Sequence, residues 1–182
     1  MTRYTVDAKA IAEVSAAASK EEVRYNIQCV HIEDIKGVRH YVATNGYVLF
    51  MVKEEHPLGY QLPDGGVNIK ILSKPTKSQL KLRQKCYMEV DEYEKYASIY
   101  CEDYCFVTKV VDCKYPEFMK VVPNVKKTKK AHEYCYFNPT YLTMVKTFFE
   151  EQPLMVPYMD SKTQPALFIS GDKYAVLMPM RI

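Results

Sequence analysis

The sequence has 182 residues, of which 48% are hydrophobic, so it can form one large domain or one domain and part of another. Tyrosine and phenylalanine are abundant and β-branched residues occur in short runs, which favours a strand-rich fold over a helical bundle. The net charge of +3 indicates no particular partner, and the lack of a signal segment or of about 18 consecutive apolar residues predicts a cytoplasmic protein without membrane spans.

The charged residues separate along the sequence. Residues 65–88 contain six basic residues and no acid, and residues 118–132 contain five lysines and no acid. Between them, residues 89–103 carry six acids against one lysine. This separation predicts one basic and one acidic surface, which would steer a polyanion to one side of the protein. Ordinary solvated faces are the alternative.

Six cysteines occur singly within apolar runs, and no two of them form a CxxC pair. Closely spaced pairs are typical of zinc sites, and disulfide frameworks are typical of small secreted chains. We therefore expect all six to be reduced residues of the core or of strands: Cys29, Cys86, Cys101, Cys105, Cys113 and Cys135.

The predicted elements repeat three times in the order strand, helix, strand, strand, strand, and each repeat is called a module below. The first module has a strand at residues 3–6, a helix capped by Asp7 that ends near residue 19, and strands at 26–33, 39–43 and 47–53, with Asn45-Gly46 as a turn signal. The second has a strand at 67–72, a helix at 73–83 and strands at 86–90, 96–101 and 104–111. The third has a strand at 133–137, a helix opened by Asn138 and Pro139, and strands at 154–158, 166–170 and 174–178.

Five segments, in order, resemble segments of the bacterial DNA polymerase III beta subunit, the replicative sliding clamp. They are Val-Arg-Tyr-Asn-Ile (23–27), Ala-Thr-Asn-Gly (43–46), Tyr-Pro-Glu-Phe with the later Val-Pro (115–123), Phe-Asn-Pro-Thr-Tyr-Leu (137–142) and Met-Pro-Met-Arg-Ile (178–182). The resemblance implies an α+β clamp fold in which helices line a ring and sheets lie outside. It implies a complete domain of two modules at residues 1–114, a linker at 115–132 and a half domain at 133–182, corresponding to the middle domain and half of the last domain of that family.

The resemblance also implies a pocket for short peptides rich in glutamine, leucine and phenylalanine, through which the DNA polymerase and the clamp loader would bind. An apolar cleft with a methionine rim suits several related peptides. The alternative is that the same residues are core residues at a domain junction. By position, the pocket would use Ile27, Thr44, Gly46, Tyr47, Leu49, Pro116, Val121, Val176, Leu177, Met178, Pro179, Met180 and Arg181.

The resemblance implies contacts between duplex DNA and the helices that line the ring, and lysines of the second helix recur on one face. So few basic residues on the helices suit salt-sensitive contacts with phosphates and not base readout. Arg24 and Tyr25 are added by the resemblance. The predicted DNA contacts are Lys9, Lys20, Arg24, Tyr25, Lys74, Lys77, Lys81, Lys85 and Lys146.

No catalytic, cofactor or metal motif is present in the sequence, and the four histidines lack metal-ligand spacing. This absence predicts a protein that is not an enzyme. The resemblance implies a DNA sliding clamp, a processivity factor of the cytoplasm and nucleoid. The alternative is a clamp-like decoy or adaptor, for example from a phage or mobile element, that binds such peptides without encircling DNA.

Module counting predicts a homotetramer, because a ring of this family contains twelve modules and this chain has three. Third modules would pair with each other to complete a domain, and first modules would join edge to edge by strand pairing.

Overall fold

The structure is a computed structural model, and it describes residues 3–70, 85–91, 93–102, 104–125, 135–150, 159, 161 and 163–180, with only the main chain of Lys85. The strands are β1 Arg3–Asp7, β2 Val30–Ile35, β3 Val38–Thr44, β4 Val48–Glu55, β5 Val67–Lys70, β6 Lys85–Asp91, β7 Tyr96–Tyr100, β8 Cys105–Val110, β9 Ala166–Ser170 and β10 Lys173–Leu177. The helices are α1 Ala8–Val14 and α2 Pro139–Phe148, and short 3-10 helices lie at Ser15–Ala17, Glu22–Ile27 and Phe118–Lys120.

The ten strands of the described residues belong to one antiparallel sheet in the order β1-β6-β7-β8-β5-β2-β3-β4-β10-β9. The first two modules exchange their first strands, since β1 pairs with β6 and β5 pairs with β2. The third module joins the first through pairing of β10 with β4. The architecture is α+β and built mainly from strands, as predicted.

Both described helices begin at the predicted caps. The Asp7 side chain accepts a hydrogen bond from the Ala10 N–H at 3.0 Å, and the Asn138 side chain accepts one from the Thr140 N–H at 2.9 Å. Each cap satisfies an N–H that has no partner within its helix. The α-helical part of the first helix ends at Val14, before the predicted end, and continues as a 3-10 turn.

The sheet carries a core on each face. On the inner face α1 and α2 cover the sheet, and the Phe148 ring stacks on Phe50 with ring centroids 4.2 Å apart. On the outer face the linker segment 115–122 covers β2, β3, β4 and β10, with Tyr115 and Phe118 buried. The core of the outer face contains Ile27, Cys29, Val42, Leu49, Met51, Tyr115, Phe118, Leu167 and Val176.

Two predicted strands differ in the structure. The strand predicted at 26–33 begins only at Val30, because residues 22–27 form the 3-10 helix. Of the strand predicted at 133–137, Tyr136 makes an isolated bridge with Met180, and residues 133–134 lie outside the described residues. The helix predicted at 73–83 and the strand predicted at 154–158 also lie outside them.

The prediction that all six cysteines are reduced is wrong for two of them. Cys86 and Cys101 form a disulfide between β6 and the end of β7. The two cysteines lie next to the Tyr87–Tyr100 pair, at the end of the β6–β7 ladder. Their Cα atoms are 4.6 Å apart, within the range that a disulfide spans. Their separation of 15 residues hid this pairing, because neighbouring strands bring together residues that local spacing does not connect.

The expectation that first modules join edge to edge is also wrong. The outermost strand of the first module is β4, and its two neighbours are β3 and β10 of the same chain. That edge is therefore occupied within the chain. None of the described helices is long and apolar enough to cross a membrane.

Candidate functional site

An apolar cavity of about 210 Å³ opens on the outer face, where the β4–β10 junction meets the linker segment 115–122. It lies on the face of the sheet opposite α1 and α2. Its lining residues come from four separate parts of the chain: Ile27, Thr44, Gly46, Tyr47, Val48, Leu49, Tyr115, Pro116, Glu117, Phe118, Val121, Val176 and Met178.

Strand pairing places the base of the cavity. Leu49 of β4 lies directly opposite Val176 of β10, and both side chains belong to the core of the outer face. The Met178 N–H then donates to the Tyr47 carbonyl at 2.9 Å, which fixes the first residue after β10 at the rim. Met178 is 36% exposed. A flexible thioether side chain therefore borders a rigid base.

The β3–β4 turn forms one wall. The Asn45 side chain accepts hydrogen bonds from the N–H groups of Tyr47 and Val48 at 2.9 and 3.0 Å. Arg24 Nη1 donates to the Asn45 carbonyl at 3.1 Å. Gly46 has a φ of +90°, and a Cβ at this position would lie 2.8 Å from Arg24 Nη1. Only glycine fits both the backbone and the guanidinium at this turn.

Arg24 was expected to contact DNA, but its guanidinium is engaged in this wall. Besides its bond to the turn, Arg24 Nε lies 3.1 Å from a Glu21 carboxylate oxygen, and its guanidinium carbon lies 5.8 Å from the centre of the Tyr47 ring. The sequence could not show this, because Arg24 and the turn are 21 residues apart.

The linker forms the opposite wall. The Tyr115 ring stacks on His31 with ring centroids 4.5 Å apart, and Phe118 meets the same imidazole edge-on at 5.8 Å. Burial raises the pKa of the Tyr115 hydroxyl. These aromatic contacts hold the linker against the sheet.

Among the described residues that line the cavity, only Glu117 is charged. Its carboxylate lies 2.6 Å from the Lys120 ammonium, and that hydrogen bond lowers the pKa of Glu117. The cavity is thus apolar inside with a paired carboxylate near its mouth. Among the described residues no group of three histidine, cysteine or acidic side chains is arranged to hold a metal ion.

Most predicted pocket residues surround this cavity. The ones that do are Ile27, Thr44, Gly46, Tyr47, Leu49, Pro116, Val121, Val176 and Met178. Sequence reasoning missed Val48, Tyr115, Glu117 and Phe118, although three of them belong to the Tyr-Pro-Glu-Phe motif from which only Pro116 was selected.

The other predicted pocket residues lie elsewhere. Leu177 follows Val176 on β10, so its side chain points to the opposite face and is buried in the core beneath the helices. Pro179 and Met180 are not among the residues that line the cavity, and the Met180 N–H donates to the Tyr136 carbonyl at 2.7 Å. Arg181 lies outside the described residues.

Among the predicted DNA contacts, Lys9 is already paired. Its ammonium lies 3.1 Å from Glu150 and 3.5 Å from Glu13, and Lys173 binds the same two carboxylates. Partial burial alone would lower the pKa of Lys9, but the hydrogen bond to Glu150 and the charge of Glu13 raise it. This four-residue network ties α1 to the end of α2 and to β10.

The remaining predicted DNA contacts divide into two groups. Lys20, Tyr25 and Lys146 are exposed. Lys85 begins β6 and is therefore not part of the predicted helical stripe, which is a correction. The other stripe residues, Lys74, Lys77 and Lys81, lie outside the described residues.

Solved structures of bacterial sliding clamps share this fold over the whole chain. The DnaN sliding clamp (DNA polymerase III subunit beta) of Bartonella birtlesii, bound to griselimycin, matches with a TM-score of 0.73 and 18% identity over 100% of this chain and 66% of that one. The Pseudomonas aeruginosa clamp matches with a TM-score of 0.71 and 15% identity, and the Caulobacter crescentus polymerase III beta with 0.71 and 17%, each over 100% of this chain and 67% of the other.

The chain thus spans about two thirds of the length of these clamps. No protein-family model matches the sequence, and no curated protein is significantly similar to it. The resemblance of the short sequence segments is matched by the three-dimensional fold.

Proposed function

We propose that the protein is a DNA sliding clamp, which encircles duplex DNA without sequence preference and tethers a DNA polymerase and a clamp loader through short linear peptides. The observation that carries this proposal is the apolar cavity at the β4–β10 junction, on the outer face of a clamp-like sheet. The protein is not an enzyme in this proposal, and it acts in the cytoplasm on the nucleoid.

The size and lining of the cavity favour a peptide over a cofactor. Its volume of about 210 Å³ is below the roughly 300–1,000 Å³ of typical small-molecule sites. It therefore suits one or two apolar side chains of an extended peptide, such as leucine and phenylalanine. Met178 at the rim can adjust to peptides of related sequence.

The two faces of the sheet separate the two kinds of partner. α1 and α2 cover the face opposite the cavity, so a tethered protein and the DNA would not compete for the same surface. Lys20, Tyr25 and Lys146 are exposed and, together with the predicted Lys74, Lys77 and Lys81, would contact the DNA in this proposal. Phosphate contacts of this kind give salt-sensitive binding without base readout.

A chain of three modules would close the ring as a homotetramer, with domains as predicted at 1–114 and 133–182. The two modules of the first domain each donate a first strand to the other, through β1–β6 and β5–β2. In the third module the corresponding segment, around Tyr136, bridges only Met180 among the described residues. Exchange with the third module of another copy would complete a domain. The expected mass is four times the 21.2 kDa of a single chain.

The peptide site is tested with a fluorescein-labelled peptide containing glutamine, leucine and phenylalanine, whose binding is followed by fluorescence anisotropy. Met178 is 36% exposed, and a peptide that covers this part gains about a third of the ~1.5–3 kcal/mol of full burial. Met178→Ala should therefore weaken binding about two- to fivefold.

The matched control is Met119→Ala, which removes a methionine that is 46% exposed on the linker and does not line this cavity. Its affinity should equal that of the unsubstituted protein. Equal losses in both variants, or no binding at all, would contradict the proposed site. Peptide binding by a stable monomer or dimer that does not encircle DNA would instead support the adaptor.

A further inference from the structure

Two free cysteines, Cys29 and Cys113, lie side by side although they are far apart in the sequence. The Cys29 thiol donates to the Asn26 carbonyl at 3.6 Å, and the Cys113 thiol donates to the same oxygen at 3.8 Å. The two thiols also form a hydrogen bond with each other. They are therefore in direct contact, and neither is part of the Cys86–Cys101 disulfide.

The contact between the two thiols is repeated two residues further along both segments. His31 follows Cys29 by two residues, and Tyr115 follows Cys113 by two residues. The Tyr115 ring stacks on His31 with ring centroids 4.5 Å apart. The chain thus follows the start of β2 through two successive contacts, and the cysteine pair is the one that precedes the linker.

Cys113 is the thiol of the pair that a reagent from solution can reach. It lines a second cavity, of about 390 Å³, which shares residues 115–118 with the first cavity. Cys29 is only 1% exposed. The volume of the second cavity lies within the roughly 300–1,000 Å³ of typical small-molecule sites. A small disulfide can therefore approach the Cys113 sulfur through this cavity.

The surroundings favour Cys113 as the attacking thiol. Asn68 Nδ2 donates to the Cys113 carbonyl at 2.7 Å and to the Cys113 sulfur at 3.7 Å, and the His31 ring holds Asn68 Oδ1 at 2.8 Å. A donor at the sulfur stabilises the thiolate. Burial raises the pKa of both thiols, to about 12 for Cys29. The hydrogen bond between them adds to the rise for Cys29 and lowers the pKa of Cys113.

We propose that Cys29 and Cys113 form a thiol–disulfide exchange site, at which a small disulfide such as glutathione disulfide oxidises the pair. The Cys113 thiolate attacks one sulfur of glutathione disulfide, so that a mixed disulfide forms and one glutathione thiolate leaves. The Cys29 thiolate then attacks the Cys113 sulfur and expels the second glutathione. The two protons of the cysteine thiols end on the two released glutathione molecules, so one disulfide bond replaces another.

The new disulfide would fix the wall of the first cavity. Ile27 precedes Cys29 by two residues, Tyr115 follows Cys113 by two residues, and both Ile27 and Tyr115 line that cavity. A covalent link between the two segments removes conformations in which the linker leaves the sheet. This consequence deepens the proposed function and rests on it, whereas the exchange itself requires neither a peptide nor DNA.

The exchange is tested by incubation of the purified protein with glutathione disulfide, followed by alkylation and mass spectrometry of its proteolytic fragments. We expect a fragment in which Cys29 and Cys113 are linked, and a reductant should separate it. Cys29→Ser should stop at the mixed disulfide and keep one glutathione on Cys113. Free thiols at both positions in the treated protein, or a mixed disulfide on Cys113 with Cys29 present, would overturn the proposal.

The matched control is Cys135→Ser, because Cys135 is a free cysteine of the same intermediate exposure as Cys113. Its sulfur contacts Met159 and no cysteine in the described part of the chain, at 3.7 Å from the Met159 sulfur. The linked fragment should form in this variant as in the unsubstituted protein. Loss of that fragment in Cys135→Ser would show a different pairing and overturn the proposal.

Thermal unfolding and hydrogen exchange measure whether the link holds the linker. Treatment with glutathione disulfide should raise the Tm of the unsubstituted protein by about 5–15 °C and leave that of Cys113→Ser unchanged. Amides of residues 117–121 should exchange more slowly in the treated protein. Equal Tm and equal exchange before and after the disulfide forms would overturn the effect on the wall. If the disulfide forms and no peptide binds, the exchange site stands and the proposed peptide site fails.

Discussion

Gly46→Ala tests how the cavity wall is built. The φ of +90° costs an alanine about 1–2 kcal/mol. The new Cβ would also lie 2.8 Å from Arg24 Nη1, so the guanidinium must move and lose its 3.1 Å hydrogen bond to the Asn45 carbonyl, at a further cost of about 0.5–1.5 kcal/mol. We expect a total loss of about 1.5–3.5 kcal/mol in the free energy of unfolding, measured with urea.

The control is Gly37→Ala, because Gly37 has a similar φ of +79° and no atom within 4 Å of a built Cβ. It should lose only the backbone part, about 1–2 kcal/mol. In an Arg24→Ala background, Gly46→Ala and Gly37→Ala should lower the free energy of unfolding by the same amount. Of the two, only Gly46→Ala should weaken binding of the labelled peptide. Equal costs of Gly46→Ala and Gly37→Ala with Arg24 present would refute the role of Arg24 in the wall.

Two further predictions concern charges. On duplex DNA, changing Lys77 and Lys81 to glutamine should flatten the slope of log affinity against log salt by up to about two units. Lys9→Gln should leave this slope unchanged, because the Lys9 ammonium is paired with Glu13 and Glu150. A flatter slope for Lys9→Gln and an unchanged slope for the Lys77 and Lys81 variant would place the DNA contacts elsewhere on the protein. Although burial acts to raise it, hydrogen bonds from Arg39 lower the pKa of Asp34 below its usual 3.8, so part of the stability at neutral pH is lost as the pH falls below 3.8. Asp34→Asn should lower the free energy of unfolding by about 3–5 kcal/mol at pH 7, and the variant should lose less stability on acidification than the unsubstituted protein. An acid unfolding curve equal to that of the unsubstituted protein would contradict this.

Local signals in the sequence predicted the elements well. A capping aspartate, an Asn-Pro helix start and an Asn-Gly turn act over short stretches of chain, so Asp7, Asn138 and Asn45 each lie where the pattern placed them. The period of the modules also follows from local patterns. The α+β fold class could therefore be predicted from the sequence without knowledge of any long-range contact.

Contacts between distant residues were not accessible in this way. The exchange of β1 and β5 between modules, the Cys86–Cys101 disulfide and the binding of Lys9 to Glu150 depend on how strands and helices pack. Most of the residues that line the cavity could be listed in advance because the resemblance brought together segments that are distant in sequence. Leu177 was misplaced because a strand presents successive residues to opposite faces, and a list of neighbouring positions ignores that alternation.

The central claim is that the protein forms a closed ring around DNA. Negative-stain electron microscopy of the purified protein, after separation of its oligomers by mass, tests this claim most directly. The account predicts particles with four times the 21.2 kDa mass of one chain that form closed rings with a hole wide enough for a DNA duplex. In mixtures with duplex DNA, the hole should be filled by the DNA. Compact particles without a hole, or DNA bound along the outer face of the rings, would contradict the account.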